Sequence, residues 1–365
     1  MSDRMTYAEA IDRRPDRAVP SWWVGNHDAL DEVLDSCVRG TRQELTRTPG
    51  DRPMEAITYG TCSAPRRAAN YNSAVAAGEP ERYVDREDRD RPVVLLIGPV
   101  HGDEVEGLTG LANLIRILET GEDGRGTSHP SLARMAADCR VVIVPIGNPD
   151  GLARFEPDAL AGCTEADLRF WGQGTWADDT FMGWPAAKRL HPMTGDAVGF
   201  LGGYFNDDGI NPMHDEFFAP MGPEAPALLD LTVREAPDVI VSLHSHPHPP
   251  AVLRPTFVPV TTQREVLAIA IEYEDRLRDR GLPVGPRFEP HGEAEVTKFN
   301  LVSALYHACG AVTFTHESPH GLEDGCQLSF DDLLDVQLTL YRSIVAHVTS
   351  GDPSTFKVDP TERSA

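Results

Sequence analysis

Short apolar runs alternate with longer segments of helical periodicity along most of the chain. The pattern predicts strands at residues 54–60, 93–98, 140–146, 238–243 and 311–315, and helices at residues 27–47, 105–118, 225–235, 262–280, 300–309 and 330–348. Apolar strands that alternate with helices are typical of an α/β protein, in which a parallel or mixed sheet is covered on both faces. No linker interrupts the pattern strongly enough to divide the chain into two domains.

The pattern is weaker at both ends and in one internal stretch. We predict a lead-in and helix over residues 1–53, the main domain over residues 54–349, and a polar tail over residues 350–365. Residues 152–222 combine three tryptophans with many Gly, Pro and Asp residues. A loop of this length usually has a function, and its aromatic content argues against disorder. The stretch is either a wall or lid over a site, or a self-packed surface insertion.

Composition narrows the classes of protein that the chain can represent. Its 365 residues are 41% hydrophobic and 25% charged, which is ordinary for a globular enzyme. The formal net charge of -24 disfavours nucleic acid and anionic membranes as partners. The first residues are charged where a signal peptide needs an apolar core, and six cysteines form no CxxC pair. We therefore expect reduced thiols and a cytoplasmic location, and the oligomeric state stays open.

Metal-ligand residue types follow three of the predicted strands. His101 and Glu104 come shortly after the strand at 93–98. His244 directly follows the strand at 238–243, and Glu317 ends the run that begins at residue 311. The ends of strands in open α/β sheets are where ligands and chemistry collect. Two histidines and two carboxylates at such ends are the components of a hydrolytic zinc site.

The spacing of His101 and Glu104 is not specific by itself, because a second HxxE occurs at His320 and Glu323. Only the first follows a buried strand with small residues that let the backbone turn sharply. Zinc needs ligands that converge at about 2.0–2.2 Å for nitrogen and oxygen donors. Two ligands on one tight turn and one from another strand end satisfy this requirement. We expect His248, His291 and His320 to be exposed or hydrogen-bonded residues at the rim.

The motifs occur in a characteristic order along the chain. They are His101-Gly-Asp-Glu104, Asn148-Pro-Asp-Gly151, Ser242-Leu-His244 and Thr313-Phe-Thr-His-Glu317. In this order they resemble the zinc carboxypeptidases of the carboxypeptidase A type, over roughly residues 54–349. The resemblance implies a three-layer α/β/α sandwich around a mixed, roughly eight-stranded sheet. It also implies one Zn²⁺ per chain bound by His101, Glu104 and His244, with Glu317 as general base.

The chemistry of these residue types agrees with that implication. Three protein ligands leave zinc an open position, at which it lowers the pKa of water toward about 7. A nearby carboxylate can take that proton and return it to the leaving nitrogen. Glu317 is the candidate, because it ends a buried strand where desolvation raises its basicity. Asp150 is either a turn residue or an acceptor that orients His101.

The chain departs from the resemblance where the substrate would be bound. Carboxypeptidases of this type use an Asn–Arg pair for the terminal carboxylate, and on the matching register this chain has Met213 and His214. A histidine is a weak replacement for a bidentate guanidinium. Arg154 and Arg169 are the candidates for polarising the scissile carbonyl. His246 shares a strand side with His244 by alternation and could line the pocket.

These observations predict a zinc-dependent hydrolase that cleaves an amide bond of a small or modified peptide. The alternative is an N-acyl amino acid deacylase resembling succinylglutamate desuccinylase and aspartoacylase, which use the same His, Glu and His ligands. A non-catalytic binding protein of the same fold would be expected to lack a ligand or the base, and all four residues are present. No glycine-rich nucleotide-binding motif follows a predicted strand.

Overall fold

The computed structural model describes residues 3–291 and 298–350. The strands are β1 (Thr41–Arg47), β2 (Pro53–Tyr59), β3 (Val93–Ile97), β4 (Arg140–Val144), β5 (Gly174–Trp176), β6 (Val198–Leu201), β7 (Val239–His246), β8 (Ala251–Leu253) and β9 (Val312–Pro319). The α-helices are α1 (Tyr7–Asp12), α2 (His27–Asp35), α3 (Tyr71–Ala76), α4 (Val105–Thr120), α5 (Pro130–Ala137), α6 (Pro149–Ala153), α7 (Glu165–Leu168), α8 (Glu224–Glu235), α9 (Val260–Asp279), α10 (Leu301–Cys309) and α11 (Phe330–Thr349).

Seven strands form one mixed sheet in the order β1-β2-β4-β3-β7-β9-β8. The central strands β4, β3, β7 and β9 are parallel, whereas β1, β2 and β8 join antiparallel at the two edges. The predicted mixed α/β sheet is confirmed, with seven strands where roughly eight were expected. Strands β5 and β6 form a separate two-stranded sheet within residues 152–222.

The sheet is covered by helices on both faces, which gives the three layers. Along β3, Val94 and Leu96 belong to the apolar cluster that also contains residues of α4, α9 and α11. Leu95 and Ile97 belong to a second cluster with residues of α8 and α10. Side chains alternate between the faces of a strand, so a strand buried on both faces is apolar throughout.

The predicted helix over residues 27–47 is wrong beyond Asp35, because residues 41–47 form the edge strand β1. This strand is largely exposed and mostly polar, so it carries little apolar periodicity for a sequence reading to detect. The residues before α2 also pack on the domain: Trp23 and Val24 are buried in the same apolar cluster as α4. The domain boundary at residue 53 stays a prediction, and residues 351–365 of the predicted tail lie outside the described residues.

Residues 152–222 contain their own apolar cluster, formed by Met182, Met193 and Phe205 among others. The stretch is therefore packed internally although it has little regular secondary structure. In the two described ranges of the chain, no helix is long and apolar enough to cross a bilayer.

Candidate metal centre

Two close backbone approaches position the turn that follows β3. A Cβ on Gly98 would lie 1.9 Å from the carbonyl oxygen of Pro145, and one on Gly102 would lie 2.0 Å from the amide nitrogen of Leu152. Only glycine fits at such separations. The turn is held against the segments that follow β4, and it directs His101 and Glu104 to the carboxyl end of the sheet.

Parallel pairing brings the other two residues to the same edge. Strand β7 lies between β3 and β9, so the carboxyl ends of all three strands are neighbours. His244 and Glu317 are direct partners in the register of β7 and β9. Four side chains that are up to 216 positions apart in the sequence therefore meet at one end of the sheet.

Three of these side chains converge within a few ångströms. His101 Nδ1 lies 2.8 Å from Glu104 Oε1, and His244 Nδ1 lies 2.9 Å from Glu104 Oε2. The two histidine Nδ1 atoms are 3.3 Å apart. Two nitrogens bound to one tetrahedral zinc at about 2.0–2.1 Å would be separated by about 3.3 Å. The donor set and its spacing fit a zinc ion.

The orientation of these atoms supports the same conclusion. Glu104 Oε2 is buried and has no aligned hydrogen bond, although His244 Nδ1 is close to it. Glu104 Oε2 and His244 Nδ1 therefore face a common point and do not face each other. On the far side of its ring, His244 Nε2 lies 3.1 Å from Ser242 Oγ. A ligating histidine donates its other N–H in this way, which fixes its tautomer and ring orientation.

Burial controls the electrostatics of the cluster. Desolvation lowers the pKa of His101, because the charged imidazolium is disfavoured there. For Glu104, burial acts to raise the pKa, but the opposing charges of His101 and His244 outweigh it and the net shift is downward. For His244, burial acts to lower the pKa, but the charge of Glu104 outweighs it and the net shift is upward. Metal ligation requires an ionised Glu104 and neutral histidines, so a bound cation would displace the protons that Glu104 favours on the imidazoles.

Glu317 stands beside this cluster with the opposite tendency. Burial raises its pKa to about 8, while the charge of His244 opposes this and that of Glu104 adds to it. Two neighbouring carboxylates with pKa values pushed apart are typical of acid–base sites. The pKa of Glu104 is thus lowered and that of Glu317 raised, although the two carboxylates are neighbours.

Tyr204 brings residues 152–222 into contact with the cluster. Its ring stacks on the imidazole of His101, with centroids 3.7 Å apart and planes 6° from parallel. Its hydroxyl accepts a hydrogen bond from Gln173 Nε2 at 3.2 Å. One edge of Trp184 packs against the Tyr204 ring at 6.3 Å. This stretch therefore contributes aromatic rings next to His101, besides packing on itself.

A second buried polar cluster lies behind the turn and was not predicted. His320 Nδ1 is 3.2 Å from Glu106 Oε2, and both side chains are inaccessible to solvent. The carboxylate of Asp103 is also buried and has no hydrogen bond to either oxygen. Burial, followed by the charge of Glu104, raises the pKa of Asp103. The expectation that His320 is a rim residue is wrong; the second HxxE motif begins inside the protein.

The polar side chains of the Asn148-Pro-Asp-Gly151 motif form hydrogen bonds that hold neighbouring segments of the chain in place. Asn148 caps α6 by accepting from the amide of Gly151, and it donates to the carbonyl of Gly203. Asp150 is buried, and its oxygens accept from the side chains of Thr48 and Arg52. They also accept from the amides of residues 50 and 207. Asp150 thus joins the β1–β2 turn to the 152–222 stretch and makes none of its hydrogen bonds to His101.

The two arginines proposed for the scissile carbonyl have other contacts. Arg154 donates to the carbonyls of Leu201, Gly202 and Phe205 and pairs with Asp207. Its guanidinium therefore holds the end of the 152–222 stretch. Arg169 lies over the ring of Phe181, 4.7 Å from its centroid, and 3.7 Å from Asp3. Their roles toward a substrate stay predictions.

The two histidines proposed for substrate binding differ in their surroundings. His246 Nε2 lies 2.9 Å from the carbonyl of Pro249, and burial lowers its pKa to about 4. His214 is half-buried against Trp184, with ring centroids 6.1 Å apart. Burial, and then the charge of Lys188, lowers the pKa of His214 to about 2, and His101 and His244 add to this shift. His214 is thus in the electrostatic surroundings of the metal-ligand cluster.

The family model described as zinc carboxypeptidase matches residues 28–199, just under half of the chain. The match includes His101 and Glu104 and ends before His244 and Glu317. None of the curated proteins matches the sequence.

Solved structures share the fold at low sequence identity. A metallo-carboxypeptidase from Burkholderia cenocepacia is 17% identical, with a TM-score of 0.53 over 89% of this chain and 68% of that one. Carboxypeptidase A from Helicoverpa armigera is 12% identical, with a TM-score of 0.50 over 94% of this chain and 79% of that one. Taken with the family match, these structures confirm the resemblance to zinc carboxypeptidases that the motifs indicated, and they show that the chain has the carboxypeptidase fold.

Proposed function

We propose that this protein is a zinc-dependent hydrolase that cleaves an amide bond of a small or modified peptide, with a single zinc held by His101, Glu104 and His244. The observation that supports this is the convergence of two Nδ1 atoms and one carboxylate, with 3.3 Å between the nitrogens. Among the described residues, it is the one group of three His, Cys, Asp or Glu side chains close enough to share a metal ion.

Glu317 and Tyr204 have different roles beside the proposed zinc. Zinc, when bound, acidifies a water and polarises a carbonyl. A carboxylate oxygen of Glu317 accepts the proton of the attacking water and returns it to the leaving nitrogen. Its place opposite His244 in the sheet keeps it beside the proposed ligands. The Tyr204 ring shields one face of His101 from water.

The test separates metal binding from catalysis. His101→Ala and His244→Ala are expected to lose stoichiometric zinc, measured by elemental analysis, together with amide hydrolysis. Glu317→Gln is expected to keep the zinc and to lose about 10²–10⁴-fold in kcat. The exposed His248→Ala is the matched control for loss of an imidazole from the same segment. Zinc content and turnover that survive in both ligand variants would end this proposal.

A deacylase acting on N-acyl amino acids is the second candidate. It is favoured by the residues at the positions of the carboxylate-binding Asn–Arg pair. Met213 is buried in the apolar core, and His214 is held neutral at pH 7 by its low pKa. Neither can replace a guanidinium in binding a C-terminal carboxylate. Comparison of kcat/KM for C-terminal peptides with that for N-acyl amino acids distinguishes the candidates, and efficient C-terminal trimming would eliminate the deacylase.

Cysteine chemistry and net charge indicate the location and the partners of the protein. We propose the cytoplasm, because all six cysteines are unpaired thiols, as is usual in a reducing compartment. The net charge of -24 supports the expectation that nucleic acids are not partners.

A further inference from the structure

Lysine is rare in this protein, and its placement is uneven. Of the 33 basic residues, only Lys188, Lys298 and Lys357 are lysines; the other 30 are arginines. Lys188 and Lys298, which are 110 positions apart, meet on one aromatic ring. The ammonium of Lys188 lies 3.5 Å from the centroid of Trp184, and that of Lys298 lies 5.1 Å from it.

Among the described residues, the two ammonium groups lack the acidic partners that many arginines of this chain have. Lys188 Nζ is buried and has no hydrogen bond. Neither lysine has a carboxylate within 4.0 Å in the part of the chain that the structure describes. A cation–π contact compensates only part of the cost of desolvating an ammonium group. Burial, and then the charge of Lys298, lowers the pKa of Lys188 to about 7, so among the described residues the ammonium form of Lys188 lacks a stabilising anion.

This pair stands beside the proposed zinc site. Trp184 contacts Tyr204, whose ring stacks on His101, so the rings form a continuous row from the two lysines to a proposed metal ligand. Trp184 also contacts His214, the residue at the position of the missing arginine.

We propose that Lys188 and Lys298, positioned by Trp184, bind a carboxylate group of the substrate next to the scissile amide. The proposal rests on the hydrolase function proposed above and gives it a substrate class, an amide that carries a carboxylate. An anion between the two ammonium groups removes their mutual repulsion and provides the acceptor that Lys188 lacks. The carboxylate can belong to the C-terminal residue of a peptide or to the acyl group of an N-acylated amino acid.

Two pairs of substrates distinguish these sources. The first is an N-acetyl dipeptide with a free C-terminus and the same compound as its C-terminal amide. The second is an N-succinyl amino acid amide and its N-butyryl counterpart, which lacks the carboxylate. For the true source, zinc-loaded wild-type protein is expected to prefer the charged member about tenfold or more in kcat/KM. Lys188→Gln/Lys298→Gln is expected to abolish this preference.

Two single variants distinguish the loss of a positive charge at the site from a general effect on charge or folding. Arg189→Gln removes one exposed positive charge next to Lys188 and is expected to leave the preference intact. Lys298→Gln alone, at an exposed position, is expected to reduce the preference even if Lys188→Gln proves unstable. A preference for the charged member that is absent in wild type, or unchanged in the double variant, overturns the proposal.

A binding measurement distinguishes failure of the proposed carboxylate subsite from failure of the proposed hydrolase function. Calorimetric titration of zinc-loaded protein with succinate, and with succinamide as the neutral probe, requires no turnover. If no amide is cleaved but succinate binds at least about tenfold more weakly to the double variant than to wild type, the anion subsite stands and the hydrolase function fails. If amides are cleaved and succinate binding is the same in both proteins, the subsite fails and the hydrolase function stands.

Discussion

Glu224 is a buried acid whose raised pKa predicts that the stability of this protein depends on pH. It begins α8, is inaccessible to solvent, and accepts hydrogen bonds from Asn206 Nδ2 at 3.1 and 3.0 Å. Asn206 belongs to the 152–222 stretch, so the contact fastens this stretch to the domain. Burial raises the pKa of Glu224 to about 7 from an ordinary value of 4.5.

The raised pKa determines the direction of the effect. The folded protein keeps Glu224 protonated at pH values where the unfolded chain has already released the proton. The stabilisation by the neutral acid is fully present below pH 4.5 and is lost as the pH rises through about 7. The gap between the two pKa values corresponds to about 3 kcal/mol, of which about 2 kcal/mol falls between pH 5.5 and 8.5.

Glu224→Gln removes the titration and keeps an acceptor for Asn206. Relative to wild type, its free energy of unfolding is expected to increase by about 2 kcal/mol between pH 5.5 and 8.5. Urea unfolding of zinc-free protein, followed by circular dichroism, measures this without a contribution from metal ligation. Glu122→Gln, at an exposed position, is the control and should track wild type. An equal difference between Glu224→Gln and wild type at both pH values would refute the argument.

Three further substitutions test the scaffold of the site. Gly102→Ala places a Cβ 2.0 Å from the amide nitrogen of Leu152, so a thermal midpoint lower by several degrees and weaker zinc binding are expected; a wild-type midpoint would contradict the packing. Asp150→Ala leaves buried donors unpaired and is expected to cost about 3–5 kcal/mol in urea unfolding, whereas a loss below about 1 kcal/mol would exclude a structural role. Tyr204→Phe should retain zinc affinity, and Tyr204→Ala should weaken it by uncovering His101; equal affinities for the two variants, measured by competition with a chelator, would show that the ring is dispensable.

The sequence predicted the central elements because their burial leaves a strong pattern. Strand β3 is buried at every position and was recognisable as a continuous apolar run. The edge strand β1 was missed, since its stability depends on hydrogen bonds to β2 and not on apolar side chains. The predicted site residues at strand ends rested on the same logic, since parallel strands must bring their carboxyl ends to one edge.

The local sequence pattern could not predict the role of residues that contact partners far away in the chain. His101 and Glu104 are three positions apart on one turn, and their relationship was visible in the chain. His320 follows strand β9 much as His101 follows β3, yet it is buried against Glu106, a contact across 214 positions. Arg154 was a candidate for substrate binding on position alone, and its guanidinium is engaged by three backbone carbonyls.

The sequence by itself determined that this is an α/β protein with metal-ligand residue types after three buried strands, because periodicity and residue chemistry are local properties. Only the tertiary structure decided the 3.3 Å separation of the His101 and His244 nitrogens, the stacking of Tyr204, and the meeting of Lys188 and Lys298 on one tryptophan. Distances of this kind arise from the packing of segments far apart in the chain, and no local preference of the backbone encodes them.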